Sequence, residues 1–406
     1  MRPRVLVLGL NYAPEHTGIA PYTAGMARGL SRDCDVQVVT AHPHYPAWQI
    51  SDGYGAWRQN ERDADVAVRR LRHYVPSNPT GPTRVLSEVS FAARALASGV
   101  RRPDIVITVS PALLPVLSAR ALARRWGVPL GVVVQDLYSR AMVEVGLLGD
   151  RSGGPATRLE SFALKGADAL VAIHERFAQT MVDSLGVDPD RITVIPNWTH
   201  VQPPTEHRDE TRRRLGWGSE TVVLHAGNMG AKQGLAHVVD AAGLVDQSDD
   251  RLRVVLMGNG NQRKDLERRA QGVANIDIID GVPDGEFTDV LAAADVLLLH
   301  ERPGVVEMCV PSKLTSYFAA GRPVLAATSS QSAAAHEIQA SAAGTVVSPG
   351  NPAALLEGLR SLISQPSLDE LGQRGQAYAR ERLSEDAALD AYRAWVDGLL
   401  SGAAHR

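Results

Sequence analysis

The sequence predicts an α/β protein of two doubly wound, Rossmann-like domains facing across a cleft. Three observations carry that expectation. Short β-branched runs alternate with amphipathic helical stretches along nearly the whole chain, the order that builds parallel sheets wrapped by helices. Most of the runs are apolar at every position, which marks strands covered on both faces. The pattern halts once, at an aperiodic proline-bearing segment at 197–204, and then restarts.

In the first half, strands are expected at 5–10, 36–40, 66–71, 105–109, 130–134, 169–173 and 192–195. The second half repeats the pattern at 222–225, 254–257, 276–279, 296–299, 324–326 and 345–347. The halves open alike. Strand 5–10 leads through Gly18 to a helix at 22–30, and strand 222–225 leads through Gly227, Gly230 and Gly234 to one at 235–244. Segment 197–204, followed by a charged run at 206–214, reads as the linker. The expected domains are therefore 1–198 and 199–384, with an amphipathic last helix, 385–406, packing back on the first. A length of 406 residues suits two cores better than one.

Composition narrows the function. Hydrophobic residues make up 44% and charged residues 21%, values of a globular chain and not of a disordered one. The formal net charge is −3, so the molecule as a whole has no pull toward nucleic acid, and no such partner is expected. Arginine is unevenly spread: Arg69, Arg70, Arg72, Arg101, Arg102, Arg120, Arg124 and Arg125 all fall in the first third. They read either as solvated faces or as a surface for an anionic membrane or anionic acceptor. Cys34 and Cys309 lie far apart without metal-type spacing, which fits a reducing compartment. The first residues run directly into a strand and lack the long apolar region of a signal peptide. No window approaches the roughly 20 apolar residues of a membrane span. A cytoplasmic protein is expected, peripheral to the inner face of the membrane at most.

In doubly wound sheets, ligands gather outside the carboxyl ends of the strands. The most informative segment there is Gly227, Asn228, Met229, Gly230, Ala231, Lys232, Gln233 and Gly234. Its glycines let the backbone approach a phosphate, the following helix aims N–H groups at it, and Lys232 adds a full charge. The spacing is neither the dinucleotide nor the P-loop pattern. Tight strand-to-helix packing would explain the glycines equally well. In the first half, Pro14, Glu15, His16, Thr17 and Gly18 form the corresponding turn, either an approach to a pyrophosphate or hydroxyl or a helix cap on Thr17.

Asp136 follows strand 130–134, where a carboxylate either orients a sugar hydroxyl or caps a helix. His42 and His44 stand at i, i+2 without a third metal ligand and read, with Tyr45, as a rigid acceptor-side loop. His174 reads as an acceptor-side group or as a solvated loop histidine. Pro311, Ser312 and Lys313 open a helix whose first amides are unpaired. A lysine there opposes the helix macrodipole at a cost of about a few tenths of a kcal/mol, which makes sense beside an anion. Otherwise it is an ordinary surface lysine.

Together these pieces resemble the retaining family-4 glycosyltransferases of the GT-B fold, and within them the colanic-acid, capsule and O-antigen subgroup of bacterial polysaccharide enzymes. The carriers span nearly the whole chain: Asn11, Tyr12, Ala13, Pro14, Glu15 and Gly18; His42, Pro43, His44, Tyr45 and Pro46; Val134, Gln135, Asp136, Leu137 and Tyr138; Val194, Ile195, Pro196, Asn197 and Trp198; the glycine turn at 227–234; and Pro311, Ser312 and Lys313 with Ala319, Ala320, Gly321, Arg322, Pro323 and Val324. Singly each is weak; six in order are specific. Four positions depart from the family pattern. Asn228 stands where arginine is common, and Gln135 where histidine precedes the aspartate. Of the family's paired glutamates, Glu307 lies within one position of the first, and Ser316 occupies the second.

The resemblance implies a nucleotide-diphosphate-sugar donor, a UDP- or GDP-sugar, bound mainly by the second half. It also implies a saccharide or lipid-linked acceptor bound by the first, no cofactor and no essential metal. Carried onto this chain, the catalytic candidates are Asp136, Lys232 and Glu307. The donor set is Gly18, Gly227, Asn228, Gly230, Lys232, Glu307, Pro311, Ser312 and Lys313. The acceptor set is Glu15, His16, His42, His44, Tyr45 and His174. Breaking the bond from an anomeric carbon to a diphosphate gathers negative charge on the leaving group, so fixed positive charge is the main lever. The family expectation is front-face attack with retention, domain closure excluding water. Two other readings fit the same architecture: a nucleotide-sugar epimerase, and a non-catalytic regulator that binds nucleotide-sugar or polysaccharide.

Overall fold

The apolar runs become parallel strands buried on both faces. The computed structural model describes residues 2–16, 18–77, 80–137, 154–198, 204–245, 251–304 and 312–404. These divide into two units, one of Met1–Asn197 with Ala388–Arg406, the other of Trp198–Ala387.

The first unit holds β1 (Arg4–Leu8), β2 (Asp35–Ala41), β3 (Arg58–Asp63), β4 (Val66–Leu71), β5 (Ile105–Ser110), β6 (Leu130–Val134), β7 (Ala169–Ala172) and β8 (Ile192–Val194). They lie in the order β3-β4-β2-β1-β5-β6-β7-β8. Every pairing is parallel except β3 with β4. Strand β3 is absent from the sequence-based expectation for a physical reason. It reads Arg-Gln-Asn-Glu-Arg-Asp, contains no apolar residue, and sits at the sheet edge with alternate side chains exposed. An edge strand needs no buried face, so hydrophobic patterning cannot find it. Helices α1 (Ala20–Leu30), α2 (Gly81–Leu96), α3 (Leu113–Trp126), α4 (Pro155–Leu164) and α5 (Glu175–Asp183) complete the alternation.

The second unit begins with α6 (Arg208–Arg214), so the charged run from 208 to 214 is a helix and not part of a linker. Its Arg212 is buried, donating to the carbonyls of Ala293 (3.0 Å), Gly218 (2.7 Å) and Glu220 (2.7 Å) and to Asp295 (3.0 Å). There follow β9 (Thr221–Ala226), α7 (Ala236–Val245), β10 (Leu252–Met257), α8 (Arg263–Arg269), β11 (Ile276–Ile279), α9 (Asp284–Ala293), β12 (Val296–His300) and α10 (Ser312–Ala319). Then come β13 (Val324–Ala327), α11 (Ala333–Ser341), β14 (Gly344–Val347), α12 (Pro352–Ile363), α13 (Leu368–Arg382) and α14 (Glu385–Ala404). The all-parallel strand order is β11-β10-β9-β12-β13-β14. Along β9, Val222, Leu224 and Ala226 enter the core on one face while Val223 enters the core on the other. Chain order reverses between β9 and β12, the switch point at whose carboxyl ends such folds bind ligands.

From Ala388 onward α14 belongs to the first unit. Two glycines make room for it. A Cβ at Gly29 of α1 would stand 2.5 Å from Leu389, and one at Gly131 of β6 would stand 2.4 Å from Trp395.

Candidate active site

In the second unit the site grows from the end of β9. Gly227 leaves the strand at φ +121°, a conformation L side chains rarely adopt, and its amide donates to Met257 (2.8 Å). Residues 227–230 and 258–260 stack backbone on backbone. A Cβ on Gly258 would lie 2.0 Å from the Gly227 carbonyl oxygen, and one on Gly260 would lie 2.5 Å from that of Met229. The Gly258, Asn259, Gly260 turn after β10 is a part of the site that sequence reasoning missed; a paired glycine at a strand's carboxyl end was the available signal.

Lys313, second residue of α10, reaches back across this turn. A Cβ on Gly227 would touch Lys313 Cε at 3.0 Å, and Lys313 Nζ stands 2.8 Å from Nε2 of the fully buried His225. His225 Nδ1 lies 3.1 Å from the Leu298 carbonyl. A carbonyl only accepts, so Nδ1 carries the ring proton and Nε2 accepts a hydrogen bond from the ammonium. One turn along α10, the Tyr317 hydroxyl accepts from the Ala226 amide at 3.0 Å. Lys313 and Tyr317 thus bind α10 to the end of β9 at i, i+4 spacing. Burial pushes Lys313 down to about 8, opposed by the Glu301 carboxylate. Burial, then the Lys313 charge, pushes His225 well below its ordinary value. His225 and Glu301 carried no motif signal: His225 lies inside the apolar strand β9, and Glu301 follows β12 between His300 and Arg302.

Lys232 sits in a short 3-10 turn, Ala231–Gln233, with its side chain exposed. The turn is pinned from below, since Arg302 donates its amide to the Lys232 carbonyl (2.8 Å) and His300 Nδ1 to that of Gln233 (2.7 Å). Asn228, Gly230, Ala231, Lys232, Gln233 and Asn261 line an open cavity of about 440 Å³. Lys232 stands on its rim; Lys313 approaches the same turn from Gly227. Glu307 and Pro311 lie outside the described residues, as does the side chain of Ser312. Ser316 is buried.

In the first unit, several expected acceptor-side groups are framework. Glu15 is buried; its Oε1 accepts from the amides of His44 (2.8 Å) and Tyr45 (2.9 Å), and its Oε2 from Asn11 (2.9 Å). The carboxylate clamps the 42–46 loop to the turn after β1. His42 and His44 are buried too, with Nε2 of His42 on the Ala56 carbonyl (2.8 Å) and Nδ1 of His44 on that of His42 (2.9 Å). Burial lowers the pKa of His42 and takes the neighbouring His73 down to about 3. His174 is buried and caps α5, its Nδ1 accepting from the Arg176 amide at 3.1 Å. The exposed members are His16, Gly18 and Tyr45. The Tyr45 ring lies 3.5 Å from where a Gly18 Cβ would be.

Asp136, half-buried, accepts from the Leu137 amide at 2.8 Å. Beside it the Gln135 and Asn197 amides pair reciprocally at 3.1 and 2.8 Å, which explains the glutamine at that position. Arg70 is not a surface charge: it is buried, pairs with Glu61 and donates to the carbonyls of Ala13 and Ala41. Arg69 donates to Asn60 and to the Ser98 carbonyl.

Residues 17–198 match the model of the Glycosyl transferase 4-like domain, and residues 220–365 that of Glycosyl transferases group 1. The chain is 31% identical over 334 residues to WcaI of Escherichia coli (strain K12), a candidate colanic acid biosynthesis glycosyl transferase, covering 78% of this chain and 81% of that one. It is 27% identical to the candidate glycosyltransferase WbjE of Pseudomonas aeruginosa, covering 79% and 81%. Among solved structures, sucrose-phosphate synthase from Thermosynechococcus elongatus superposes with a TM-score of 0.74 at 14% identity, covering 99% of this chain and 100% of that one. HepE of Anabaena in complex with UDP gives 0.69 at 15% identity, covering 97% and 100%. At these identities the structural matches speak for the GT-B fold.

Proposed function

The chain belongs to the group 1 and 4-like glycosyl transferases of the GT-B fold, and on that premise we propose that it moves a sugar from a nucleoside-diphosphate sugar to a saccharide or lipid-linked acceptor, with retention, in cell-surface polysaccharide synthesis. The observation that carries this reading is Lys313, anchored on buried His225 and laid across Gly227 at the β9–β12 switch point. It puts a fixed ammonium where the backbone of a glycine turn admits a phosphate. Lys232 supplies a second charge on the rim of the adjoining cavity.

The chemistry then follows. The acceptor hydroxyl oxygen bonds to the anomeric carbon while the bond from that carbon to the diphosphate oxygen breaks. The electron pair leaves with the diphosphate, whose growing charge the two lysines offset. A phosphate oxygen takes the hydroxyl proton on the face that the leaving group vacates, which retains the anomeric configuration. With two ammonium groups at the diphosphate, the reaction needs no divalent cation. Asp136 orients a sugar hydroxyl, and Gly18, His16 and Tyr45 meet the acceptor. The likeness to WcaI supports a polysaccharide pathway, and the likeness in fold to HepE with UDP supports a UDP-sugar.

Thermal-shift titration with UDP-, GDP-, dTDP- and ADP-sugars tests the donor, because a ligand that binds the folded state alone raises its melting point. Anomeric NMR of the product tests retention. If no sugar nucleotide raises the melting point, the reading fails.

A further inference from the structure

Helix α2 wears its amphipathicity inside out. Pro82, Val85, Leu86, Val89, Ala93 and Leu96 recur at helical spacing and are all exposed, Leu86 by 52% and Val89 by 46%. The opposite face buries Phe91, Ala92 and Ala95 together with Ser87 and Glu88. An aromatic row runs beside the helix and is tied to it at three points. Arg84 lies over the Trp48 ring (5.3 Å), the Tyr74 amide donates to Ser90 (2.9 Å), and Arg94 stacks on Trp57 (3.5 Å). Trp57 is 69% exposed, the most exposed large apolar side chain among the described residues.

Along α2 and its flanking segments the charge has one sign. From residue 66 to 103 the chain carries seven arginines and a single acid, Glu88, which is buried. Arg72, Arg84, Arg101 and Arg102 are exposed. A contiguous exposed apolar face rimmed by polar residues marks an interaction surface. A second copy fits poorly, because a two-fold axis on α2 would set Arg84 against Arg94 or each against itself. An apolar helix face with tryptophan and tyrosine along one side and an arginine rim has the chemistry of the interface of an anionic bilayer.

We infer that the outer face of α2, with Trp57 and Tyr74 beside it, rests on an anionic lipid bilayer. The row ends at the acceptor-side loop: the Tyr45 and Trp48 rings stand 6.4 Å apart, and Tyr45 touches the Gly18 turn. The protein therefore meets acceptors whose lipid anchor stays in the membrane, a step that rests on the glycosyl-transfer reading.

Flotation of the full chain with vesicles tests the surface. Vesicles of phosphatidylglycerol and phosphatidylethanolamine should carry the protein, those of phosphatidylcholine should not, and high salt should release it. Leu86→Glu with Val89→Glu should weaken vesicle binding by at least about tenfold, and Arg72→Ala or Arg84→Ala by about fivefold each. All of these changes lie on exposed side chains, so the melting point and its rise with a nucleotide-sugar should stay as in the parent. Failure of the parent chain to float with anionic vesicles would overturn the inference, as would equal flotation by the double variant. So would concentration-dependent dimers abolished by Leu86→Glu. Vesicle binding without any nucleotide-sugar response would leave the surface standing and remove the transferase reading.

Discussion

The Lys313 ammonium stands 2.8 Å from Nε2 of His225, and the same side chain crosses the face of Gly227. The glycine turn, the central strand and the first turn of α10 thereby meet at one charged atom, so the proposed reaction should report the protonation state of Lys313.

Burial holds Lys313 at about 8, against 10.5 for the free side chain. The charged form, on which the proposed offset of the diphosphate charge rests, is lost as pH rises through that value. Transfer measured as kcat/KM should therefore fall above pH 8, with the limb of kcat moved upward because a bound diphosphate favours the ammonium. Stability runs the other way. Between pH 8 and 10.5 the unfolded chain binds more protons at this lysine, so its contribution to folding improves as pH rises. Lys313→Arg should remove the alkaline limb, and Lys313→Ala should lower turnover by about 10²–10³-fold. A pH profile flat to pH 10 in the parent would contradict this role.

Lys232→Ala is expected to fold normally, because the side chain is exposed. Turnover at saturating donor should drop by about 10²–10³-fold. The parent enzyme should also keep its rate after dialysis against EDTA. Near-normal transfer by the variant would take Lys232 out of the site, and loss of activity restored by Mg²⁺ would show that a cation shares the work.

Gly258→Ala should cost more than an ordinary loop substitution. The residue sits at φ +137°, and a Cβ would stand 2.0 Å from the Gly227 carbonyl oxygen, backbone that cannot swing away. A loss of about 2–4 kcal/mol of stability is expected, and the thermal response to nucleotide-sugar should vanish with it. Unchanged donor affinity would mean that the 227–230 and 258–260 turns do not depend on each other.

Glu88, buried on the inner face of α2, is pushed up to about 7 by burial, against an ordinary 4.5. The folded state binds more protons than the unfolded chain between those values. This group's contribution to stability therefore declines as pH rises from 4.5 to 7 and stays low beyond. Glu88→Gln should stabilise the protein at pH 8 by on the order of 2 kcal/mol and leave it unchanged at pH 4. Calorimetry at the two pH values separates these outcomes.

How much could be read from the chain depended on what each residue had to bury. Strands such as β1, β5, β9 and β12 are continuous apolar runs and are legible as buried parallel strands. Strand β3 buries no face and left no pattern. The glycine turn at 227–234 and Lys313 stood out because glycine frees the backbone and a lysine in a helix's first turn opposes its dipole. His225 did not, since one histidine in Val-Val-Leu-His-Ala carries no spacing. Side-chain direction was illegible as well: Glu15, His42 and His44 look like groups offered to a ligand, yet each is turned inward to hold a loop.

The last helix has a consequence for how the protein is made. The shelf that Gly29 and Gly131 leave is filled by Leu389 and Trp395, more than 180 residues downstream of the rest of that unit, Met1–Asn197. During synthesis the amino-terminal sheet emerges first, with a gap in its cover that Leu389 and Trp395 fill only later. Domains generally fold as they leave the ribosome; this one must wait for the second to be translated, and a ribosome stalled anywhere in between leaves it with an open apolar flank.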